Sequence, residues 1–427
     1  MTSRRSLLAG IGGAGAAALA GCTGVVPWRD DGTDRADVAL APDAVEPVER
    51  SPSPFPVAVP ESLAAAHGTR ARELLGAVPA DPSLPNAAVE RELRNERERA
   101  ADRIENGSDR PWPTDRLAGW RAIRSDAATV RGAHRAATGE DDSEAVRGRR
   151  RAAREDLASF VAAHEYRARS PLEATLVHAP VEDLVATCRR RVRPVRTYPA
   201  DPVARPFRAG EAVGWIEGAR ATLDDATGLL ETYRARRDGT DSWWSSLIAS
   251  ARRLRLAVDR ERTTVGRFLE RDDPPVDEDL RGTPARRLLV EASRRAERLS
   301  EDVEERVDDG AVATAAVGAG RALAAIETLS TAVEGVRDGA YRDRVTAESV
   351  GRAADRARES LAGVAAADDP RLAARIAEPA FGTHAYVVDR IDEGHADPVR
   401  AQGDLAFVDL YARAVPPATR FVLDRLD

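Results

Sequence analysis

Lysine does not occur anywhere in the 427 residues, so all 64 basic side chains are arginine, set against 71 Asp plus Glu. Cysteine, methionine and aromatics are scarce: two Cys, one Met and 4% Phe, Trp and Tyr together. Two cysteines allow at most one intrachain disulfide, so the body must be held by its core rather than by a disulfide framework. Only six histidines are available to a metal or acid–base centre. The chain also lacks a Cys-x-x-Cys-His haem site, a His-Glu-x-x-His zinc helix, a Gly-x-Ser-x-Gly elbow and a phosphate-binding glycine loop, and no cofactor is identified. The formal charge of −7 works against a polyanionic partner, so nucleic acid is not expected.

What is present begins with Ser3-Arg4-Arg5-Ser6-Leu7-Leu8, an apolar Gly/Ala stretch to about Ala20, and Leu19-Ala20-Gly21-Cys22. A charged start, a short apolar run and small residues before a cut are the three parts of a secretory signal, and the run is too short to span a bilayer stably. Arg4 and Arg5 followed by two leucines resemble a twin-arginine export signal, and the last four residues resemble the lipobox of exported lipoproteins. The resemblance implies removal of residues 1–21, a lipid on the Cys22 sulfur, and residence on the outer face of the cytoplasmic membrane. An uncleaved anchor would leave the same topology. Removal of residues 1–21 takes away Arg4 and Arg5 but no acid, so the charge becomes −9 and Cys188 is left without a pairing partner. An acid-rich composition devoid of lysine is similar to that of exported proteins of high-GC halophiles, haloarchaea first and actinobacteria second.

Residues 22–60 carry Pro27, Pro42, Pro47, Pro52, Pro54, Pro56 and Pro60 without helical or strand period, which predicts an extended tether; Phe55 and Val57 are the residues able to dock on the body. From Glu61 the apolar spacing predicts an all-α chain of antiparallel hairpins packed as bundles. Helices are expected near 61–78, 86–105, 114–138, 143–169 and 172–192. The prolines of 193–207 suggest two subdomains, 61–205 and 206–427. Over 208–271 two stripes, Ile216-Ala219-Leu223-Ala226-Leu230-Tyr233 and Trp244-Leu247-Ala251-Leu254-Val258, predict a hairpin whose stripes bury against each other. Leu289 to Val307, Val312 to Val333 and Val350 to Val364 supply three further stripes.

Candidate sites are few. His134 and His164 extend apolar faces and read as core histidines, about 25 Å apart if their helices form a hairpin turning near residue 140. Phe381-Gly382-Thr383-His384-Ala385-Tyr386 resembles the Gly-x-His motif of imelysin-like proteins, exported all-helical proteins linked to iron uptake and once described as peptidases. The resemblance implies a metal or small-ligand site at His384, with Asp389 as the nearest acid and His395 three turns on, unless Gly394 ends the helix first. Val387 stands where that family has Glu. Cys188 lies on an apolar face and reads as a buried, inert thiol. Arg189, Arg190 and Arg191 form the most basic patch, and Trp243, offset from the seam that Trp244 extends, is a candidate partner contact. Asn106-Gly107-Ser108 is the only glycosylation sequon. Together these readings favour a non-enzymatic, lipid-tethered binding or scaffold protein with an envelope protein as partner. An imelysin-like metal or small-ligand binding protein is the alternative.

Overall fold

The computed structural model describes residues 40–41, 44–50, 52–195, 197–266 and 280–426; Arg4, Arg5 and Cys22 lie outside them. The described residues form thirteen α-helices and one two-residue antiparallel ladder, an all-α architecture in two bundle-like regions. The first region contains α1 (Glu61–Gly76), α2 (Ala87–Asn106), α3 (Pro113–Ala137), α4 (Ser143–Ala163), α5 (Pro171–Val192) and α6 (Pro206–Arg236). The second contains α7 (Trp244–Thr264), α8 (Pro284–Asp308), α9 (Val312–Arg337), α10 (Ala347–Gly363), α11 (Pro370–Ile376), α12 (Glu378–Asp392) and α13 (Pro398–Leu426).

Local chemistry explains the starts. Proline opens α3, α5, α6, α8 and α11 at the position where no backbone donor is needed. The side chains of Asn86, Ser170, Thr283 and Asp369 accept from first-turn amides, and Thr346 with Ser349 closes a capping box. The prolines read as punctuation in the sequence are thus mostly helix starters.

Packing departs from the expected hairpins. The long helix α6 lies on α3 and α5, so the helix expected to open the second subdomain completes the first, and the boundary moves from residue 205 to the segment after Arg236. The α6 and α7 stripes are therefore not buried on each other: Leu247, Ala251, Leu254 and Val258 of α7 face α9 and α8. The cause is the connection, in which β2 (Asp241–Ser242) pairs antiparallel with β1 (Arg167–Ala168) and redirects the chain before α7. Close approach of α3 and α6 depends on glycine, since a Cβ at Gly210 would stand 2.3 Å from the Thr129 carbonyl oxygen. The hairpin of α8 and α9 forms as the spacing predicts. By length and composition α9 could cross a membrane, but most of it is buried within the second bundle, where α7, α8 and α13 cover it.

The expected tether is corrected over residues 44–50 and 52–59. Phe55, Val45 and Val57 are buried in the main apolar core, because a proline-fixed extended segment loses little further entropy on docking. Trp112 Nε1 donates to the Arg50 carbonyl at 2.9 Å, Arg50 donates to the Phe381 carbonyl at 3.1 Å, and Arg237 donates to the Pro56 carbonyl at 3.2 Å. The strap thus joins both bundles.

Candidate functional site

The connection from α4 to α5 builds the site. Expected to stay helical to residue 169, α4 ends at Ala163, and the chain turns through His164, Glu165 and Tyr166 into β1. A cavity of about 530 Å³ opens there, walled by this turn, by one face of α5, by the start of α7 and by the turn between α8 and α9. Tyr166 is its hub. Its hydroxyl donates to Glu182 Oε1 at 2.7 Å, and its ring lies 4.6 Å from Trp244, 4.7 Å from His164 and 4.8 Å from His178, centroid to centroid.

Two histidines brace that ring from behind. His178 faces the Arg167 carbonyl through Nε2 at 3.3 Å, an acceptor only, so Nε2 carries the proton and Nδ1 is bare. His164 Nε2 stands 2.9 Å from that bare nitrogen and must be the donor. His178 is thereby neutral with its proton on Nε2, and His164 carries a proton on Nε2. Burial pushes His164 down to about 4, with Arg234 assisting, and pushes His178 down to about 3, with His164 assisting.

Glu182 links the two bundles. The first turn of α9 has no capping side chain of its own, and its orphan amides at Ala313 and Thr314 donate to Glu182 at 3.1 and 2.6 Å. A carboxylate on α5 therefore caps a helix more than a hundred residues away, where the positive helix end favours negative charge. Burial, the largest influence, pushes its pKa up to about 7, while the amides of Thr314 and Ala313 and the Tyr166 hydroxyl pull the other way. Tyr166 is itself raised by burial and by its place beside Glu182.

Three guanidinium groups reach the cavity. Arg167 is committed to the Thr240 carbonyl at 2.6 Å and to Glu165 at 3.9 Å, and Arg306 reaches Asp183 at 3.6 Å. Arg189 is exposed and has neither ion pair nor hydrogen bond among the described residues.

Several sequence candidates are relocated by the structure. The arginine triplet splits: Arg189 enters the cavity wall, Arg190 donates to Thr187 Oγ1, and Arg191 lies over the Trp215 ring at 5.0 Å. The tryptophans exchange roles. Trp243 is half-buried with its indole N–H on the Ala168 carbonyl at 2.9 Å, while Trp244, 39% exposed, faces the cavity; β1 supplies the acceptor that turns Trp243 inward. His384 is buried on α12 with an unpartnered Nε2, and burial with Arg50 and Arg358 nearby holds it down at about 4. Asp389 and His395 are exposed, α12 ends at Asp392, and Gly394 takes φ +69°, so the three do not converge. Among the described residues no group of three or more His, Cys, Asp or Glu is placed to hold a metal. Cys188 is buried, its thiol directed to the Ala219 carbonyl at 3.5 Å and pushed up to about 11 by burial. Asn106 is exposed at the end of α2. His134, partly buried on α3, has no part in the His164 cluster.

Sequence reasoning missed Tyr166, His178 and Glu182. A signal existed: His178 and Glu182 stand four residues apart within the apolar run Ala174–Cys188, two polar groups sharing a buried helix face.

A second buried polar cluster lies in the first bundle. His67 Nε2 meets Asp225 at 2.8 Å, and Arg124 donates to His67 Nδ1 at 3.3 Å, to Glu217 at 2.8 Å and to Asp224 at 2.9 Å. Burial works to raise the Glu217 carboxyl, but Arg124 and Arg70 hold it below the usual range. An arginine occupies the imidazole position where a catalytic dyad would present a nucleophile, and the network ties α1, α3 and α6 together.

Fold and site together define a class: an all-α protein of two bundles with an aromatic-walled cavity where they meet. Residues 62–239 match the family model described as Domain of unknown function (DUF8262), and residues 244–424 match the one described as Domain of unknown function (DUF8264). The two matches meet at the connection between α6 and α7, and the cavity draws its wall from both. No curated protein and no solved structure matches the chain.

Proposed function

We propose that the chain is an exported, lipid-anchored binding protein whose cavity holds a small organic molecule without transforming it. The observation that carries this reading is the aromatic wall: an exposed Trp244 leaning on a Tyr166 fixed by Glu182 and two neutral histidines. Such a wall is rigid before any ligand arrives, which lowers the entropic cost of binding. Binding rather than turnover is favoured because the groups able to move protons are already engaged, Glu182 by three donors and the histidines by each other. Arg4, Arg5 and the lipobox ending at Cys22 support the address, and export makes the exposed Asn106 a candidate glycan acceptor. The scaffold reading has less support, since Trp243 is turned inward and Arg191 is held on Trp215.

The test is gentle purification of the tagged, lipidated protein from native membranes in high salt, followed by mass spectrometry of the small molecules, metals and proteins that accompany it. A small organic molecule retained by the native protein and lost from Trp244→Ala is the expected result. A stoichiometric protein partner whose retention ignores Trp244→Ala would overturn it in favour of the scaffold.

A further inference from the structure

We infer that the cavity selects a flat aromatic anion, its ring stacked on Trp244 and its acidic group held by Arg189. This deepens the reading above and rests on it. Trp244 and Tyr166 are already in contact, with centroids 4.6 Å apart and planes tilted by 41°. Aromatic cages for cations hold their rings apart around the charge, whereas these two leave no gap between them. What remains available is the exposed part of Trp244, which lines the cavity and is 39% exposed as a residue, a surface for one more flat ring.

Charge decides the rest. Glu182 is buried with its oxygens taken up by two amides and a hydroxyl, and Glu165 lies 3.9 Å from Arg167. Asp309 lies at the exposed rim, where water screens it. Arg306 already leans toward Asp183. Arg189 alone presents a guanidinium fork with no partner among the described residues, and it belongs to the same helix face as Glu182, seven residues further along α5. A planar fork and an exposed indole lining one cavity match a carboxylate carried on an aromatic ring.

The experiment is calorimetric titration of the purified full chain with 2-naphthoate, 2-naphthylmethylammonium and cyclohexanecarboxylate, repeated on Arg189→Gln, Arg189→Lys and Trp244→Ala. Arg189 is exposed and unpartnered, so its variants keep the wild-type unfolding midpoint, which is checked in parallel. Naphthoate is expected to bind more tightly than either other probe. Its Kd should rise about tenfold in Arg189→Gln and in Trp244→Ala, and less in Arg189→Lys. Equal binding of the ammonium probe, or naphthoate binding indifferent to Arg189→Gln, overturns the anion selectivity while a Trp244-dependent affinity keeps the binding cavity. If no probe binds, or if binding ignores Trp244→Ala, both readings fall.

Discussion

Glu182→Gln separates the two opposing influences on the buried carboxyl. The folded pKa of about 7 lies above the ordinary 4.5, so the folded chain holds this proton more tightly than the unfolded chain does. The stability contributed by the group is therefore complete below pH 4.5 and is lost as pH rises through 7. At about 1.4 kcal/mol per pH unit the whole displacement corresponds to about 3 kcal/mol, most of which is lost between about pH 5 and pH 8. Glutamine does not titrate, so the stability difference, wild type minus variant, should fall by that amount across the interval. The histidines and all other carboxyls are common to both proteins and cancel in the difference. Denaturant unfolding at several pH values reads the difference directly. Glutamine also turns an N–H toward one of the α9 amides, leaving that amide unpaired, so exchange at the Thr314 amide should quicken in the variant. A wild-type-minus-variant difference that stays flat with pH would refute the argument that burial of Glu182 is linked to folding.

The other predictions concern packing and ionisation. Gly210→Ala places a methyl against the Thr129 carbonyl and the Ala133 amide and should cost about 3 kcal/mol, whereas Gly148→Ala, in open space on α4, should gain about 0.5–1 kcal/mol; unfolding midpoints compare them. Phe55→Ala should cost about 3–4 kcal/mol and open the strap to protease, and an unchanged midpoint would sink the docked strap. Cys188 should resist maleimide in the native chain and label fully once unfolded, because its thiol is buried and pushed up to about 11. His164 and His178 have folded values below the ordinary 6.5, so the stability they contribute is complete above pH 6.5 and is lost as pH falls toward 4 and 3. Nitrogen-15 NMR should find both neutral at about pH 5, and a charged ring there would refute the tautomer assignment.

Helix content was legible because the spacing of Leu289 to Val303 or Val350 to Leu361 can be satisfied only by a helix with one buried face, and those residues are buried. Partner choice was not legible. A stripe states that a face must be covered but not by which helix, and α6 is buried on several sides, with Ala212, Val213, Ala221 and Leu229 inside as well as the predicted stripe. Its neighbours are selected by where backbones can approach, as at Gly210 and Gly214 against α3, and no period in the sequence encodes that. The α6–α7 connection compounded the error, since a ladder of two residues needs no alternation and so leaves no strand signature.

The site was harder to read for a related reason. Its residues come from four places in the chain, and none is unusual within its own window: Tyr166 follows a helix end, Arg189 opens an arginine run, and Trp244 continues an apolar stripe. Trp244 looked like a core residue because it keeps register with Leu247 and Ala251, yet it occupies the first position of α7, past the end of what the neighbouring helices cover. Register alone assigns a face; coverage assigns burial, and the two separate at helix ends. The exception was available on α5, where an apolar helix carries His178 and Glu182 on one face. Burying an acid there is costly without donors, so the sequence already required that something supply them. The donors proved to be the uncapped first turn of α9, and the need that each helix left unmet explains why the cavity forms where the two bundles join.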